Sequence, residues 1–305
     1  MQIMNKKWSR TLFLPIIMIS KFLGRNFPVF FAKCRYFARF HKRLNLKSPK
    51  TLNEKILYLS LKTDTSRWSD IADKYRVREY VDNLGLADNL VKLYGVWENA
   101  NLIDWDALPE SFVLKVNHGS GDVVIVKDKN KINKKEVVEY FNKLLKSKYG
   151  ELESGLHYYR IKPVVIAEEF ILNDEISAKY STSLIDYKIW CFNGKPYYIW
   201  TCCNRDKLGT DVMTYDLKWN AHPEWSRFNN HYRRGEIIPK PDNLDEMLNV
   251  ASKLSQGFPC TRIDLYNLKG KIYFGEVTFT SLGGLMNFYT DDFLLMAGSK
   301  IDLYK

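Results

Sequence analysis

The sequence predicts an α+β protein built on antiparallel strands. Three observations carry this. Strand-like runs come in pairs around tight-turn residues, with Asn193-Gly194 and residues 267–270 the clearest cases. Other segments bear helix start and stop signals. A chain of 305 residues that is 46% hydrophobic can bury one large core or two to three smaller lobes.

The N-terminal segment, residues 1–47, is basic and amphipathic. Twelve of the 46 Lys and Arg residues lie within residues 1–50, which hold no acid. The other 34 face 35 acids, so the body is nearly neutral and nucleic acid is not expected as a partner. Residues 11–19 are apolar but too short to span a bilayer, and no small-residue cleavage site follows. After Pro28, the residues Phe30, Cys34, Phe37, Phe40 and Leu44 fall at helical spacing, with Arg35, Arg39 and Lys42 on another face. Such a helix can lie on an anionic membrane or pack on the body with its basic face solvated.

Thr51-x-x-Glu54 is a capping box that opens a helix to about residue 62. Ser69 is expected to cap a single helix over 70–84, stopped by Gly85, with Lys74 and Arg78 on one face. Residues 89–97 read as a strand. A strand at 112–116 carries Lys115 into a polar turn, Asn117-His118-Gly119-Ser120-Gly121-Asp122, and a second strand ends at Lys127. A glycine-bearing loop between strands can offer backbone N–H groups to phosphates, although a plain hairpin turn would look the same. It is not a Walker A loop, since no Gly-Lys-Ser/Thr follows. Asn133 caps a helix to about 149. Residues 163–171 form a buried strand that ends on Glu168 and Glu169, either a solvated terminus or a grip for base and ribose. Strands at 186–192 and 197–202 flank Asn193-Gly194, with Arg205 beyond. Residues 209–241 read as an irregular lid, and residues 244–256 as a helix stopped by Gly257. The five cysteines form no C-x-x-C pair and suit a reduced, cytosolic protein with no thiolate metal site.

The late ribbon, residues 262–278, has one acid in each arm, Asp264 and Glu276. Pairing Tyr266 with Ile272 puts both on one face, near-diagonal across the two strands. Two carboxylates so placed repel unless a cation lies between them, and oxygen ligands with room for phosphate suit Mg²⁺. The alternative is a surface hairpin with two solvated acids.

Taken in order, several motifs resemble the ATP-grasp fold, and within it the teichuronopeptide-biosynthesis (TupA-like) branch. They are Asn53-Glu54-Lys55, Asp73-Lys74-Tyr75, Phe112-Val113-Leu114-Lys115 with Asn117-His118-Gly119-Ser120-Gly121, and Ala167-Glu168-Glu169. Asp186-Tyr187-Lys188 with Phe192-Asn193-Gly194, and Arg262-Ile263-Asp264-Leu265-Tyr266 with Gly275-Glu276-Val277-Thr278-Phe279, complete the set. The resemblance spans roughly residues 48–290. It implies two α+β lobes gripping ATP between antiparallel sheets: an N-terminal helical region at 48–110, a small lobe with the glycine loop at 111–172, and a metal-bearing lobe at 173–305.

The resemblance also implies an ATP- and Mg²⁺-dependent ligase that joins a carboxylate to an amine through an acyl phosphate. Lys74 and Lys115 would contact the phosphates, residues 117–121 would cover them, and Lys127 would support them. Glu168, Glu169, Phe170 and Ile171 would hold adenine and ribose. Lys188, Arg205 and Arg262 would serve the reacting groups, and Asp264, Glu276 and Thr278 the metal. Thr278 stands where most ATP-grasp enzymes have asparagine. The implied substrates are a carboxylate-bearing glycan or peptide of the cell envelope and an amine, met at the inner face of the membrane. A phosphotransferase on the same scaffold, a glycosyltransferase, or a non-enzymatic membrane binder would be the rival classes.

Overall fold

The computed structural model describes residues 10–153 and 155–303. The first nine residues of the basic segment, with Lys6 and Lys7, lie outside the described residues. The chain opens with helices α1 (Arg10–Asn26), α2 (Pro28–Phe40), α3 (Leu52–Lys62), α4 (Ser66–Ala72) and α5 (Val77–Asn83). Strands β1 (Leu93–Trp97), β2 (Phe112–Val116) and β3 (Val123–Val126), helices α6 (Lys134–Leu145) and α7 (Leu156–Tyr159), and strand β4 (Val165–Glu169) follow. Next come β5 (Asp186–Phe192), β6 (Lys195–Cys203), β7 (Thr210–Asp216), β8 (Tyr232–Arg234), α8 (Leu244–Leu254), β9 (Cys260–Leu268), β10 (Lys271–Thr278) and α9 (Asp291–Ser299).

Two sheets result. The small one has the order β1-β4-β2-β3, all antiparallel. Alternation along β2 sends Phe112, Leu114 and Val116 into a core with Val137 and Phe141 of α6. The same alternation leaves Val113 and Lys115 on the other face. The large sheet runs β10-β9-β5-β6-β7-β8, antiparallel except for the short β7–β8 pair. Its central strands are buried on both faces, so β5 and β9 lack simple polar–apolar alternation. One face packs Ile189, Ile199, Ile263 and Leu265 in the core that includes Met247, Val250 and Leu254 of α8. The opposite face carries the charged residues of the site.

Four local expectations need correction. The helix expected over 70–84 is two short helices, because Asp73 interrupts it. Its carboxylate accepts from the amides of Tyr75 (2.8 Å) and Arg76 (3.2 Å), an Asx-type turn that competes with helix continuation. Ser69 therefore lies inside α4, and Lys74 sits in the turn instead of sharing a helical face with Arg78. The strand expected over 89–97 begins only at Leu93, after a 3₁₀ turn at Ala87–Asn89. The expected lid at 209–241 begins with β7, a largely buried strand paired to β6 from Asp211 to Asp216. On α2, the buried residues are Phe31, Ala32 and Tyr36, while Phe30 and Phe37 of the expected stripe face outward.

Candidate active site

The late ribbon forms with a different register from the one expected. Tyr266 pairs with Tyr273, and Ile272 with Asn267. Continued unbroken, that register would place Glu276 on the face opposite Asp264. A bulge between Phe274 and Glu276 shifts the count by one, so Glu276 lies directly across from Asp264 instead of diagonally. Gly275 occupies the bulge, and a Cβ there would meet the Asp264 carbonyl oxygen at 2.9 Å.

Lys188 on β5 pairs with Asp264 on β9, which pairs with Glu276 on β10. This puts cation, anion and anion in one row across three strands. Arg262 and Thr278 form part of the next row. The Arg262 guanidinium grips Asp264 as a fork, Nε to Oδ1 and Nη2 to Oδ2, both at 2.7 Å. Its Nη2 also donates to Thr278 Oγ1 (3.1 Å) and Glu276 Oε1 (3.3 Å), and its Nη1 to Ser281 Oγ (2.8 Å). Lys188 Nζ bonds to Asp264 and lies 2.5 Å from Asp186 Oδ2. Arg205, half-exposed at the rim, reaches the same Asp186 oxygen at 3.1 Å.

The small lobe contributes from the other side. Lys115 on β2 pairs with Glu168 Oε2 on β4 at 2.5 Å, and Arg78 of α5 meets Glu168 Oε1 at 3.6 Å. Lys74 links the two lobes. Its Nζ donates to the Gly119 carbonyl (2.6 Å) and lies 3.6 Å from Glu276 Oε2, while its amide donates to Asn117 O (3.1 Å). The glycine loop, a lysine and the second acid of the ribbon are thereby joined.

Burial and partners compete here: burial prevails at Asp264, whose carboxyl is raised, and at Arg78, whose proton affinity is lowered, while the partners prevail at Glu276 and Lys188. Burial pulls the Glu276 carboxyl upward, but Lys74 and Arg262 outweigh it and hold the group well below the usual range. Burial lowers Lys188, but Asp186 and Asp264 more than restore its proton affinity. Removing one partner from such a network leaves an uncompensated buried charge. In total six cations, Lys74, Arg78, Lys115, Lys188, Arg205 and Arg262, meet four carboxylates, Glu168, Asp186, Asp264 and Glu276. The surplus is positive, as a phosphate-binding site requires.

The donor set also fits Mg²⁺. Asp264 and Glu276 offer hard carboxylate oxygens in one row, and each such oxygen has a second lone pair. Of these oxygens Glu276 Oε2 is the least engaged, with Lys74 Nζ its one ion-pair partner among the described residues, at 3.6 Å. Thr278 is occupied in another way: its hydroxyl donates to Glu276 Oε1 at 3.0 Å and so orients the acid.

The remaining expected residues fall as follows. Gly121 takes a left-handed φ of 79°, which suits glycine, and Ser120 is exposed. His118 is buried, and burial lowers its proton affinity while its ring lies by the Ser147 backbone. Lys127 is exposed just past the end of β3 and pairs with no acid among the described residues. Alternation turns Glu169 away from Glu168, to the opposite face of β4. Phe170 and Ile171 are half-buried where the chain leaves β4 for β5. Sequence reasoning missed Asp186, the shared partner of Lys188 and Arg205, although it stands two residues before Lys188, on the same strand face. It also missed Arg78 as a partner of Glu168, and Ser281 as a partner of Arg262. An Asp-x-Asp pair, Asp104-Trp105-Asp106, does occur; Asp104 Oδ1 accepts from the amides of Asp106 and Ala107 and builds a turn.

Among solved structures, the chain is similar to the D-alanine–D-alanine ligase of Bacillus anthracis, at 17% identity and a TM-score of 0.45 over 75% of this chain and 63% of that one. The Helicobacter pylori D-alanine–D-alanine ligase gives 17% identity and a TM-score of 0.40, covering 77% and 60%. D-cycloserine synthetase DcsG gives 14% and 0.43, covering 81% and 75%. The chain thus spans about three-fifths of the two D-alanine–D-alanine ligases. No curated protein matches at a significant level. At the level of sequence, residues 54–302 match the family described as TupA-like ATPgrasp. That match covers most of the chain, which therefore belongs to the TupA-like ATP-grasp family.

Proposed function

We propose that the protein is an ATP- and Mg²⁺-dependent carboxylate–amine ligase acting through an acyl phosphate. The observation that supports this best is the row Lys188–Asp264–Glu276, joined through Lys74 to the glycine loop. Lys74 and Lys115 neutralise nucleotide phosphate, residues 117–121 cover it with Lys127 as a supporting charge, and Arg262 faces the transferred phosphoryl group. Glu168 and the backbone of residues 169–171 hold ribose and adenine. Asp264 and Glu276 hold Mg²⁺, with Thr278 orienting Glu276. When bound, the metal supplies charge neutralisation and in-line positioning of phosphate oxygens. Lys188 and Arg205, with Asp186 between them, serve the carboxylate substrate. Little covalent chemistry falls to the side chains; they position groups and exclude water.

The substrate reading is a carboxyl of a cell-envelope glycan or peptide, amidated by an amino acid or amine at the cytoplasmic face of the membrane. The family's placement in teichuronopeptide biosynthesis and the basic N-terminal segment support it. The test supplies ATP, Mg²⁺ and pools of uronic acids and amino acids, and measures ADP release. Release that needs both a carboxylate and an amine supports a ligase. Release that needs a hydroxyl acceptor and no amine makes the protein a phosphotransferase instead.

A further inference from the structure

Helices α1 and α2 meet at an elbow, Phe27-Pro28. Proline disfavours helical backbone at the residue before it, and Phe27 has φ −132° and ψ 53°. The elbow is fixed to the body. Gly24 packs so closely on Glu151 that a Cβ would lie 1.8 Å from its carbonyl oxygen. Lys21 pairs with Glu151 at 3.6 Å, and the Arg25 guanidinium lies over the Tyr159 ring at 5.2 Å. On the inner side, α2 buries Phe31, Ala32 and Tyr36.

The outer side is apolar and aromatic. Met18, Ile19 and Phe22 on α1, Phe27 at the elbow, and Phe30 and Phe37 on α2 are each between 54% and 68% exposed. Six large apolar side chains held this open on adjacent helices exceed the scattered exposure of an ordinary surface. Basic residues border them: Arg25, Lys33, Arg39 and Arg43 are exposed, Lys42 is exposed but pairs with Asp291 at 2.9 Å, and residues 1–50 contain no acid. Among the described residues no helix is long and apolar enough to cross a membrane. Aromatic side chains rimmed by cations that outnumber the nearby acids Glu151 and Asp291 match an anionic bilayer in both depth and charge.

We infer that the outer face of the α1–α2 elbow docks the protein on an anionic lipid surface, with Phe22, Phe27 and Phe30 inserted below the headgroups. This surface stands on its own geometry and holds even if the ligase reading fails. Because the elbow is pinned at Gly24, docking would set the orientation of the whole body to the membrane.

The test is co-sedimentation of the full chain with phosphatidylglycerol-containing vesicles, against neutral phosphatidylcholine vesicles, for wild type and the triple variant F22S/F27S/F30S. Wild type should bind the anionic vesicles, and the variant should bind at least about tenfold more weakly. The unfolding midpoint and vesicle-free ATP turnover of the variant should stay at the wild-type level. Equal binding by wild type and variant overturns the inference. So does a wild type that ignores vesicles but forms a dimer in sedimentation velocity that the variant loses, since a second copy would then be the occupant of this face.

Discussion

At Glu276, a lysine from a helix–helix turn and an arginine from the neighbouring strand converge on one carboxylate. Each charge is tolerable only because the others are present, and the arginine's fork geometry cannot be reproduced by a lysine. His157 shows the opposite solution, a buried side chain kept neutral. Its ring packs edge-on to Trp68 at 5.4 Å and to Phe279 at 6.1 Å. Burial first, then Arg160, pushes its pKa from 6.5 down to about 3. The unfolded chain takes up this proton near pH 6.5, while the folded chain resists until about 3. The contribution of neutral His157 is therefore complete above pH 6.5 and is lost as the pH falls toward 3. His157→Phe should flatten the decline of the urea midpoint between pH 6.5 and 4 relative to wild type; an unchanged slope would show that His157 does not set it.

At the level of elements, the bulge at Gly275 decides whether the ribbon has a site at all. Adding a branched side chain should force either the Asp264 carbonyl or the bulge to move. Gly275→Val is expected to cost roughly 1–3 kcal/mol in denaturant titrations and to remove most ATP turnover. A variant with wild-type turnover would show that the two acids need not be opposed. The presence of this ribbon was legible in the sequence because turn residues and apolar flanks mark it locally. Its register was not, because a bulge is a one-residue choice made by packing across strands. The same division holds elsewhere. The capping box of α3 was readable and forms, with the Thr51 hydroxyl accepting from the Glu54 amide. The break at Asp73 was not read, since Asp73 lies within an otherwise helical pattern and acts through its own following amides. On α2 the periodicity identified a helix, but two apolar faces were available and only the body could select Phe31 and Tyr36 over Phe30 and Phe37.

For the whole molecule, Lys74 joins the small lobe to the large sheet, and Asp174 joins the segment between the lobes to the ribbon by accepting from the Lys269 amide at 2.8 Å. These ties run between parts far apart in sequence, which is why single motifs read along the chain revealed the parts but not the shared partners such as Asp186. The charge surplus at the junction is the molecular basis for expecting a nucleotide there. It is tested most directly by calorimetric titration of ATP with and without Mg²⁺ into wild type and Glu276→Gln, a variant whose half-open side chain permits folding. Wild type should bind ATP more tightly when Mg²⁺ is present, and Glu276→Gln should lose that metal-dependent gain, with turnover falling by about 10²–10³. Identical metal dependence in the two proteins would contradict the assignment of the ribbon carboxylates as the metal-binding pair.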